Sequence, residues 1–263
     1  MKIIDMDVQH LDYVARCGYS REAWNRPEEI AEIKKTWLRK RAGQGMIIKV
    51  AIDSKGQPVG FARGLPIHLG AWGIKGRDLL TITCLVVETE KINGKKNGSG
   101  IGRQLVLSLD KSARKEYMGL AVRAFDMEFP YMPYSFFSKI GFHEIARRNN
   151  EVLMLKEFVP VSNPEFLDVR FKFEPVKGKV VVDLFWNPLC MTSITELFTV
   201  RSVCEELGDR VILHEYCTGE SEIFEKYGTE RALFINGTPK CWGFDAPADE
   251  LKAEILLALN TAG

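Results

Sequence analysis

The sequence predicts an α/β protein with two domains, on three observations. Its 263 residues exceed one typical domain, and a hydrophobic share of 46% with 27% charged residues is typical of a globular chain. A continuous apolar run begins at Leu79 and leads through a glycine-rich loop into an amphipathic helix. After a stretch interrupted by prolines at 159–178, strands and helices alternate a second time.

The first 158 residues predict strands and helices in an order that suits a mixed sheet. Pro27, followed by two glutamates, suits the first turn of a helix, and Asp53-Ser54-Lys55-Gly56 suits a hairpin turn. Ile101, Leu105 and Leu109 recur at every fourth residue, which gives one helix an apolar face. In chain order we expect strand 2–5, helices 8–17 and 21–41, strands 46–52 and 58–65, the central strand from 79, a helix from 101, strand 119–127, a helix ending near 141, and strands 144–148 and 151–158.

Three glycines, Gly98, Gly100 and Gly102, alternate where the chain passes from the loop into the helix. Backbone N–H groups can approach a ligand closely there, and the first helical turn adds unpaired donors and the positive end of the dipole. This arrangement predicts an anion site. It fits neither a dinucleotide fingerprint, whose third glycine would stand at Arg103, nor a Walker loop, because Arg103 and Gln104 follow Gly102. The alternative is a glycine-rich helix entry without a ligand.

Two motifs resemble those of the GNAT superfamily of N-acetyltransferases. The superfamily's pyrophosphate loop reads Gln/Arg-x-x-Gly-x-Gly/Ala after the central strand, and its later helix often carries Phe-Tyr-x-Lys-x-Gly-Phe. In this sequence the loop is Asn97-Gly98-Ser99-Gly100-Ile101-Gly102, with Asn97 in place of Gln or Arg, and the helix carries Phe136-Phe137-Ser138-Lys139-Ile140-Gly141-Phe142. The resemblance covers about the first 158 residues and implies the GNAT fold with its mixed central sheet and acetyl-CoA as cosubstrate.

The resemblance also implies which residues bind the cofactor. Backbone groups of Leu85, Val86 and Val87 would pair with the pantetheine amides, as an added strand does. The pyrophosphate would be held by the amides of the loop and the first helical turn, namely Asn97, Gly98, Ser99, Gly100, Ile101, Gly102 and Arg103.

The implied reaction is direct attack of an amine on the thioester in a ternary complex, which needs a base for the amine and an acid for the thiolate. The superfamily's usual acid is the Tyr of the second motif, where this chain has Phe137. Tyr134, on the same helical face, is the expected substitute, and Glu88 is the expected base. The sequence leaves further candidates open for the acid and the base, which are Tyr131, Asp126 and Glu128. It does not identify the acceptor, a small-molecule or peptide amine.

The second half has the order β-α-β-α-β-β-α, which resembles a thioredoxin fold and the YoaP-like module that follows some GNAT domains. We therefore expect a GNAT domain at 1–158, a linker at 159–178 and a thioredoxin-like domain at 179–263. Cys190 stands at the thioredoxin nucleophile position and is a candidate reactive thiol. Ser193 replaces the second cysteine, so dithiol exchange is not expected. Two alternative functions follow, a thiol-redox protein centred on Cys190 and a non-catalytic acyl-CoA binder.

Composition argues against other classes of partner. A formal net charge of +1 does not favour nucleic acid, no apolar run reaches the length of a membrane span, and the N-terminal residues lack the apolar core of a secretory signal. The six cysteines contain no C-x-x-C pair, which favours reduced thiols in the cytoplasm. The four histidines lack ligand spacing, so no metal site is expected.

Overall fold

A computed structural model describes residues 1–18, 26–69, 72–88, 100–127, 131–243 and 246–261. The chain divides into two compact units, Met1–Leu167 and Asp168–Gly263. The strands of the first unit are β1 (Lys2–Asp5), β2 (Ile47–Ile52), β3 (Pro58–Pro66), β4 (Ile74–Lys75), β5 (Leu79–Val87), β6 (Gly119–Phe125), β7 (His143–Arg148), β8 (Glu151–Glu157) and β9 (Glu165–Phe166). Its helices are α1 (Leu11–Ala15), α2 (Pro27–Ala42), α3 (Ile101–Ala113) and α4 (Tyr134–Lys139).

Seven strands of the first unit form one mixed sheet in the order β1-β2-β3-β5-β6-β8-β7. Adjacent strands in this sheet are antiparallel, except for the pair β5 and β6. That pair is parallel because the chain crosses over through α3 between the two strands. The α/β fold with a mixed central sheet, predicted from the sequence, is confirmed.

Helix α3 packs on one face of this sheet through the apolar stripe seen in the sequence. Ile101, Leu105 and Leu109 are buried, and they pack with apolar residues of the central strands. The face opposite α3 carries Phe61, whose ring meets that of Tyr13 in α1 at a centroid distance of 6.2 Å. The functional consequence is that alternate residues of the central strands point either to α3 or to the side of α1 and α2.

Two helices differ from their predicted bounds. A 3-10 turn at Val8–His10 precedes α1, because the Asp7 carboxylate accepts a hydrogen bond of 2.9 Å from the N–H of Gln9 and caps that turn. Helix α2 begins at Pro27 as expected, while the predicted helical residues 21–25 lie outside the described residues.

The second unit contains β10 (Val180–Trp186), β11 (Val211–Cys217), β12 (Ala232–Ile235) and β13 (Thr238–Lys240), with helices α5 (Met191–Leu207), α6 (Ser221–Tyr227) and α7 (Ala248–Thr261). Its sheet has the order β11-β10-β12-β13. Strands β10 and β11 are parallel, and the two remaining pairs are antiparallel. Apolar residues of α5, α7 and the sheet form its core. The chain order β-α-β-α-β-β-α is the predicted one.

The division between the units falls inside the stretch that the sequence analysis treats as a linker. Strand β9 pairs with β4, and Arg148 donates a hydrogen bond of 3.1 Å to the carbonyl of Leu167, so this part belongs to the first unit. Phe171 packs against Phe185 at 5.3 Å and Phe234 at 4.8 Å between ring centroids, within the second unit. Apolar residues alternate at 166–173 much as in a strand, which favours an ordered connector that packs on one domain. The alternation reflects packing on two different units instead.

All six cysteines lie within the described residues and are free thiols. Within the described ranges, no group of three or more His, Cys, Asp or Glu side chains could hold a metal ion. None of the helices in those same ranges is both long enough and apolar enough to cross a membrane.

Candidate functional site

Strand β5 separates from β6 halfway along its length. Parallel pairing joins residues 79–82 to residues 119–122, although β5 continues to Val87 and β6 to Phe125. Beyond that point β5 stays paired with β3 on its other side. Residues 83–87 therefore form an open edge, at which no strand of the described residues pairs with β5 on the side of β6. Backbone groups at such an edge can bind an extended ligand as an additional strand.

A β-bulge lies where the two strands separate. Arg63 pairs with Cys84 and Gly64 with Ile82, which leaves Thr83 as an extra residue on β5. A bulge bends its strand and alters which side chains face each side. Before it, Ile82 packs with residues of α3; after it, Leu85 does so. Cys84 thereby faces the side of α1 and α2.

The N-terminus of α3 is built on Gly100. This residue is the N-cap with φ +70°, a left-handed conformation that favours glycine, and no side chain in the described part of the chain caps the helix. A Cβ at Gly100 would meet no atom of the described residues within 4 Å. Arg103 is exposed in the first turn. The first turn of any α-helix presents N–H groups without intrahelical partners, which is where an anion binds.

Three elements converge between this helix and the open edge. A Cβ at Gly102 would lie 3.6 Å from Cζ of Phe136 and 3.7 Å from Cγ2 of Val87. The end of β5, the start of α3 and α4 therefore meet at one place. Of the predicted cofactor residues, the structure brings Leu85, Val86 and Val87 together with Gly100, Ile101, Gly102 and Arg103. Asn97, Gly98 and Ser99 lie outside the described residues.

Helix α4 places its aromatic residues in different surroundings. Phe137 is fully buried, between Phe136 at 5.0 Å and Phe142 at 5.4 Å. Its side chain therefore serves core packing. Tyr134 is half-buried, with the guanidinium of Arg147 at 5.3 Å from its ring centroid. The α4 side chain nearest to Gly102 is Phe136.

Glu88 follows the last residue of β5, on the side of α1 and α2. Its N–H donates a hydrogen bond of 3.0 Å to the carbonyl of Val59. A Cβ at Gly18 would lie 2.9 Å from Oε1 of Glu88 and 3.3 Å from the hydroxyl of Tyr13, so the carboxylate and the phenol are neighbours. Burial, and then the nearby Glu88, raise the pKa of Tyr13. The carboxylate thus lies at the end of the open edge, beside a phenol that stays protonated.

The other carboxylates proposed for proton transfer are placed differently. Asp126 is exposed and forms an ion pair of 2.7 Å with Arg147, which also pairs with Glu144 at 2.9 Å. Glu128 lies outside the described residues. Among the described candidates, Glu88 is therefore the carboxylate that lies at the end of the open edge of β5.

Sequence analysis missed a group of side chains near Glu88. Tyr13 and Cys17 come from the end of α1 and the turn after it, and Lys34 comes from α2. One signal was available. Lys34 lies four residues after Ile30 and three before Trp37, in the apolar stripe of α2, where a charged residue is unusual.

Cys190 is the N-cap of α5 in the second unit. Its Sγ lies 3.0 Å from Oγ1 of Thr192, which also accepts a hydrogen bond of 3.1 Å from Arg231. Ser193 is fully buried, and its hydroxyl accepts a hydrogen bond of 2.8 Å from the N–H of Asn187. The Ser193 hydroxyl therefore holds the loop that precedes α5.

No family model matches the chain, and no curated protein matches it. Among solved structures it is similar to PaiA N-acetyltransferase of Thermoplasma acidophilum in complex with coenzyme A, with 13% identity, a TM-score of 0.41, and 60% of this chain and 98% of that chain covered. A GNAT-family acetyltransferase of Staphylococcus aureus has 12% identity, a TM-score of 0.43, and coverages of 59% and 98%. One from Brucella melitensis in complex with acetyl-CoA has 18% identity, a TM-score of 0.40, and coverages of 61% and 90%. The likeness is distant, so the function has to rest on this chain's own residues.

Proposed function

We propose that the first unit is an N-acetyltransferase that moves the acetyl group of acetyl-CoA to an amine in a ternary complex. One observation carries this proposal. The open edge of β5 ends at Val87, within contact of Gly102 at the start of α3. A strand edge suited to amides and a helix N-terminus suited to phosphates are therefore adjacent, as an acyl-CoA molecule requires.

The open edge suits the pantetheine arm of the cofactor. Pantetheine is an extended chain with two amide groups, which can pair with a strand edge as a peptide does. The five residues of the edge span roughly 16 Å at the usual rise of a strand. Apolar side chains of Leu85 and Val87, both half-buried, flank it on the side of α3.

The N-terminus of α3 suits the pyrophosphate. Donors of the first helical turn and the positive end of the helix dipole both favour a negative ligand. No atom in the described ranges lies within 4 Å of the place where a side chain at Gly100 would begin. Exposed Arg103 adds a positive charge to the same turn. We propose that Asn97, Gly98 and Ser99 complete the loop around the phosphates.

In the proposed reaction the amine nitrogen attacks the thioester carbon, the N–C bond forms, and the C–S bond then breaks to release CoA. Glu88 removes the proton that the amine loses, and Tyr134 supplies one to the departing sulfur. Backbone N–H groups of the open edge stabilise the oxyanion that forms between these steps.

Turnover with a panel of acceptors tests this function. The full chain is incubated with acetyl-CoA and, separately, with polyamines, amino acids, aminoglycosides and peptides with free N-termini. Mass spectrometry then detects the acetylated product. We expect one class to be acetylated in a reaction that needs both the protein and acetyl-CoA, and Glu88→Gln to suppress it. Binding of acetyl-CoA without acetylation of any acceptor would favour the non-catalytic binder.

For the second unit we propose a thioredoxin-like, YoaP-like domain at 179–263, with 159–178 as the connector. Its sheet order and the position of Cys190 at the start of α5 support this assignment. We also propose a cytoplasmic location, because the six cysteines have no paired spacing in the sequence.

A further inference from the structure

A group of charged and sulfur-containing side chains, three of them buried and Cys17 half-buried, lies on the face of the sheet opposite α3. We name it the thiol cluster: Cys17, Lys34, Arg63 and Cys84. Lys34 is fully buried, and its Nζ lies 2.7 Å from Sγ of Cys17. Arg63 is 1% exposed, and Cys84 is 7% exposed. Four elements of the first unit thus place two cations beside two thiols.

The two cations need a counter-charge, because burying an unpaired charge is costly. Nε of Arg63 donates a hydrogen bond of 2.9 Å to Oγ1 of Thr83, while its buried Nη1 has no hydrogen-bond partner among the described residues. Within the described residues, the ammonium of Lys34 contacts the sulfur of Cys17. A thiolate at Cys17 satisfies this requirement, whereas a neutral thiol does not.

Electrostatics at the two sulfurs point the same way. The neighbouring thiol of Cys84, and then the charges of Lys34 and Arg63, hold the pKa of Cys17 well below its ordinary value, against the effect of burial. The neighbouring Cys17 and burial raise the pKa of Cys84 well above its ordinary value. The two pKa values are therefore driven apart in the sense that makes Cys17, which contacts Lys34, the thiolate. Tyr13 and Glu88 also face the cluster from α1 and from the end of β5.

We propose that Cys17 and Cys84 are a peroxide-reactive dithiol pair, in which Cys17 is oxidised first and Cys84 resolves it. The Cys17 thiolate attacks one oxygen of hydrogen peroxide, the O–O bond breaks, and sulfenic acid forms while the other oxygen leaves as water after taking up a proton. The sulfur of Cys84 then attacks the sulfur of the sulfenic acid. The S–S bond forms, the S–O bond breaks, and a second water leaves. Two thiols and one peroxide thus yield one disulfide and two waters.

This disulfide would be readily reduced again. Its formation removes the negative charge beside Lys34 and Arg63, so the buried cations stabilise the reduced form. The bond would also tie the turn after α1 to β5, four residues before Glu88. Oxidation at this pair does not depend on the acyl-transfer function, and its test does not use acetyl-CoA.

The other cysteines provide internal comparisons. Burial raises the pKa of Cys204 to about 12, so its thiol should react slowly. Cys241 is exposed and reports on unselective oxidation. If peroxide oxidises Cys17 before Cys204 and Cys241, the difference is due to the surroundings that the thiol cluster provides.

The test treats the reduced full chain with one equivalent of hydrogen peroxide and maps its peptides without reduction. We expect a linked pair of peptides containing Cys17 and Cys84, formed before Cys241 is modified and lost on adding a thiol reductant. In Cys84→Ser, a dimedone adduct should accumulate at Cys17. Absence of the linked peptides while Cys241 is oxidised would overturn the proposal.

Removing the charge of Lys34 tests whether this lysine stabilises the Cys17 thiolate, and a second lysine of α2 shows what loss of any charge on that helix does. Lys34→Met keeps the length of the side chain and removes the cation, so Cys17 should react roughly tenfold more slowly at neutral pH, because less of it is thiolate. Lys35→Met is the matched control, since Lys35 pairs with Asp12 at 3.0 Å instead. Equal rates in the two variants, both checked for folding by circular dichroism, would contradict the assignment of Lys34 as the counter-ion.

Discussion

Substitution of Gly100 by glutamate tests the proposed phosphate site at the N-terminus of α3. Gly100 has φ +70°, and a Cβ there would meet no atom of the described residues within 4 Å. None of those residues blocks a glutamate side chain, which places a carboxylate in the space proposed for the pyrophosphate. The expected consequence is a loss of CoA affinity that exceeds any loss of stability.

The size of this effect follows from the geometry. A non-glycine residue in the left-handed region costs roughly 1–2 kcal/mol of stability. A carboxylate about 6 Å from a phosphate charge repels it by about 3 kcal/mol at an effective dielectric constant of about 20. That energy corresponds to a roughly hundredfold larger dissociation constant for CoA, which means weaker binding.

Gly56→Glu is the matched control. Gly56 has φ +81°, and a Cβ there would also meet no described atom within 4 Å, but it lies in the turn between β2 and β3. Calorimetric titration with CoA and thermal unfolding are measured for both variants. We expect similar losses of stability, with weakened binding only for Gly100→Glu. If the two variants bind CoA equally well, the phosphate site has been assigned wrongly.

Three further predictions concern the proposed chemistry and the stability of the first unit. Glu88→Gln should lower kcat by about 10²-fold or more, the usual size of a general-base effect, with CoA affinity in calorimetry unchanged. Tyr134→Phe should lower turnover by about 10²-fold, and unchanged turnover in this variant would exclude Tyr134 as the acid. Phe137→Tyr should lower the free energy of unfolding by about 1–3 kcal/mol, because its new hydroxyl is buried, and it should leave turnover no higher than in the wild type. Hydrogen bonding to Arg16 lowers the pKa of Asp12 from its ordinary 3.8, so the ion pair stabilises the fold above that pH and its contribution is lost as the pH falls below it. Urea midpoints should therefore fall more steeply with acid in the wild type than in Asp12→Asn.

Local patterns in the sequence were sufficient to predict the elements that frame the site. The four-residue repeat of Ile101, Leu105 and Leu109 predicted α3, and the glycines before it predicted the helix entry at Gly100. These features depend on residues close together in the chain. Phe137 also illustrates the limit of a motif, because its position in the pattern does not reveal that its side chain is fully buried.

The features that sequence analysis missed depend on distant residues. The bulge at Thr83 is defined by its register against Arg63 on another strand. Strands β4 and β9 have two residues each and exist because they pair across about ninety residues of chain. The contact between Lys34 and Cys17 joins a helix to the turn after another helix. None of these leaves a periodic signal in the sequence.

Hydrogen exchange with and without acetyl-CoA tests most directly the claim that acyl-CoA binds between the open edge of β5 and the N-terminus of α3. The full chain is exchanged in both states, and protection is read from peptides covering residues 83–87 and 100–103. We predict that acetyl-CoA slows exchange in both peptides, because the ligand pairs with the edge amides and covers the first turn of the helix. Unchanged exchange in both, with acetyl-CoA bound and protection confined to other segments, would contradict the proposed site.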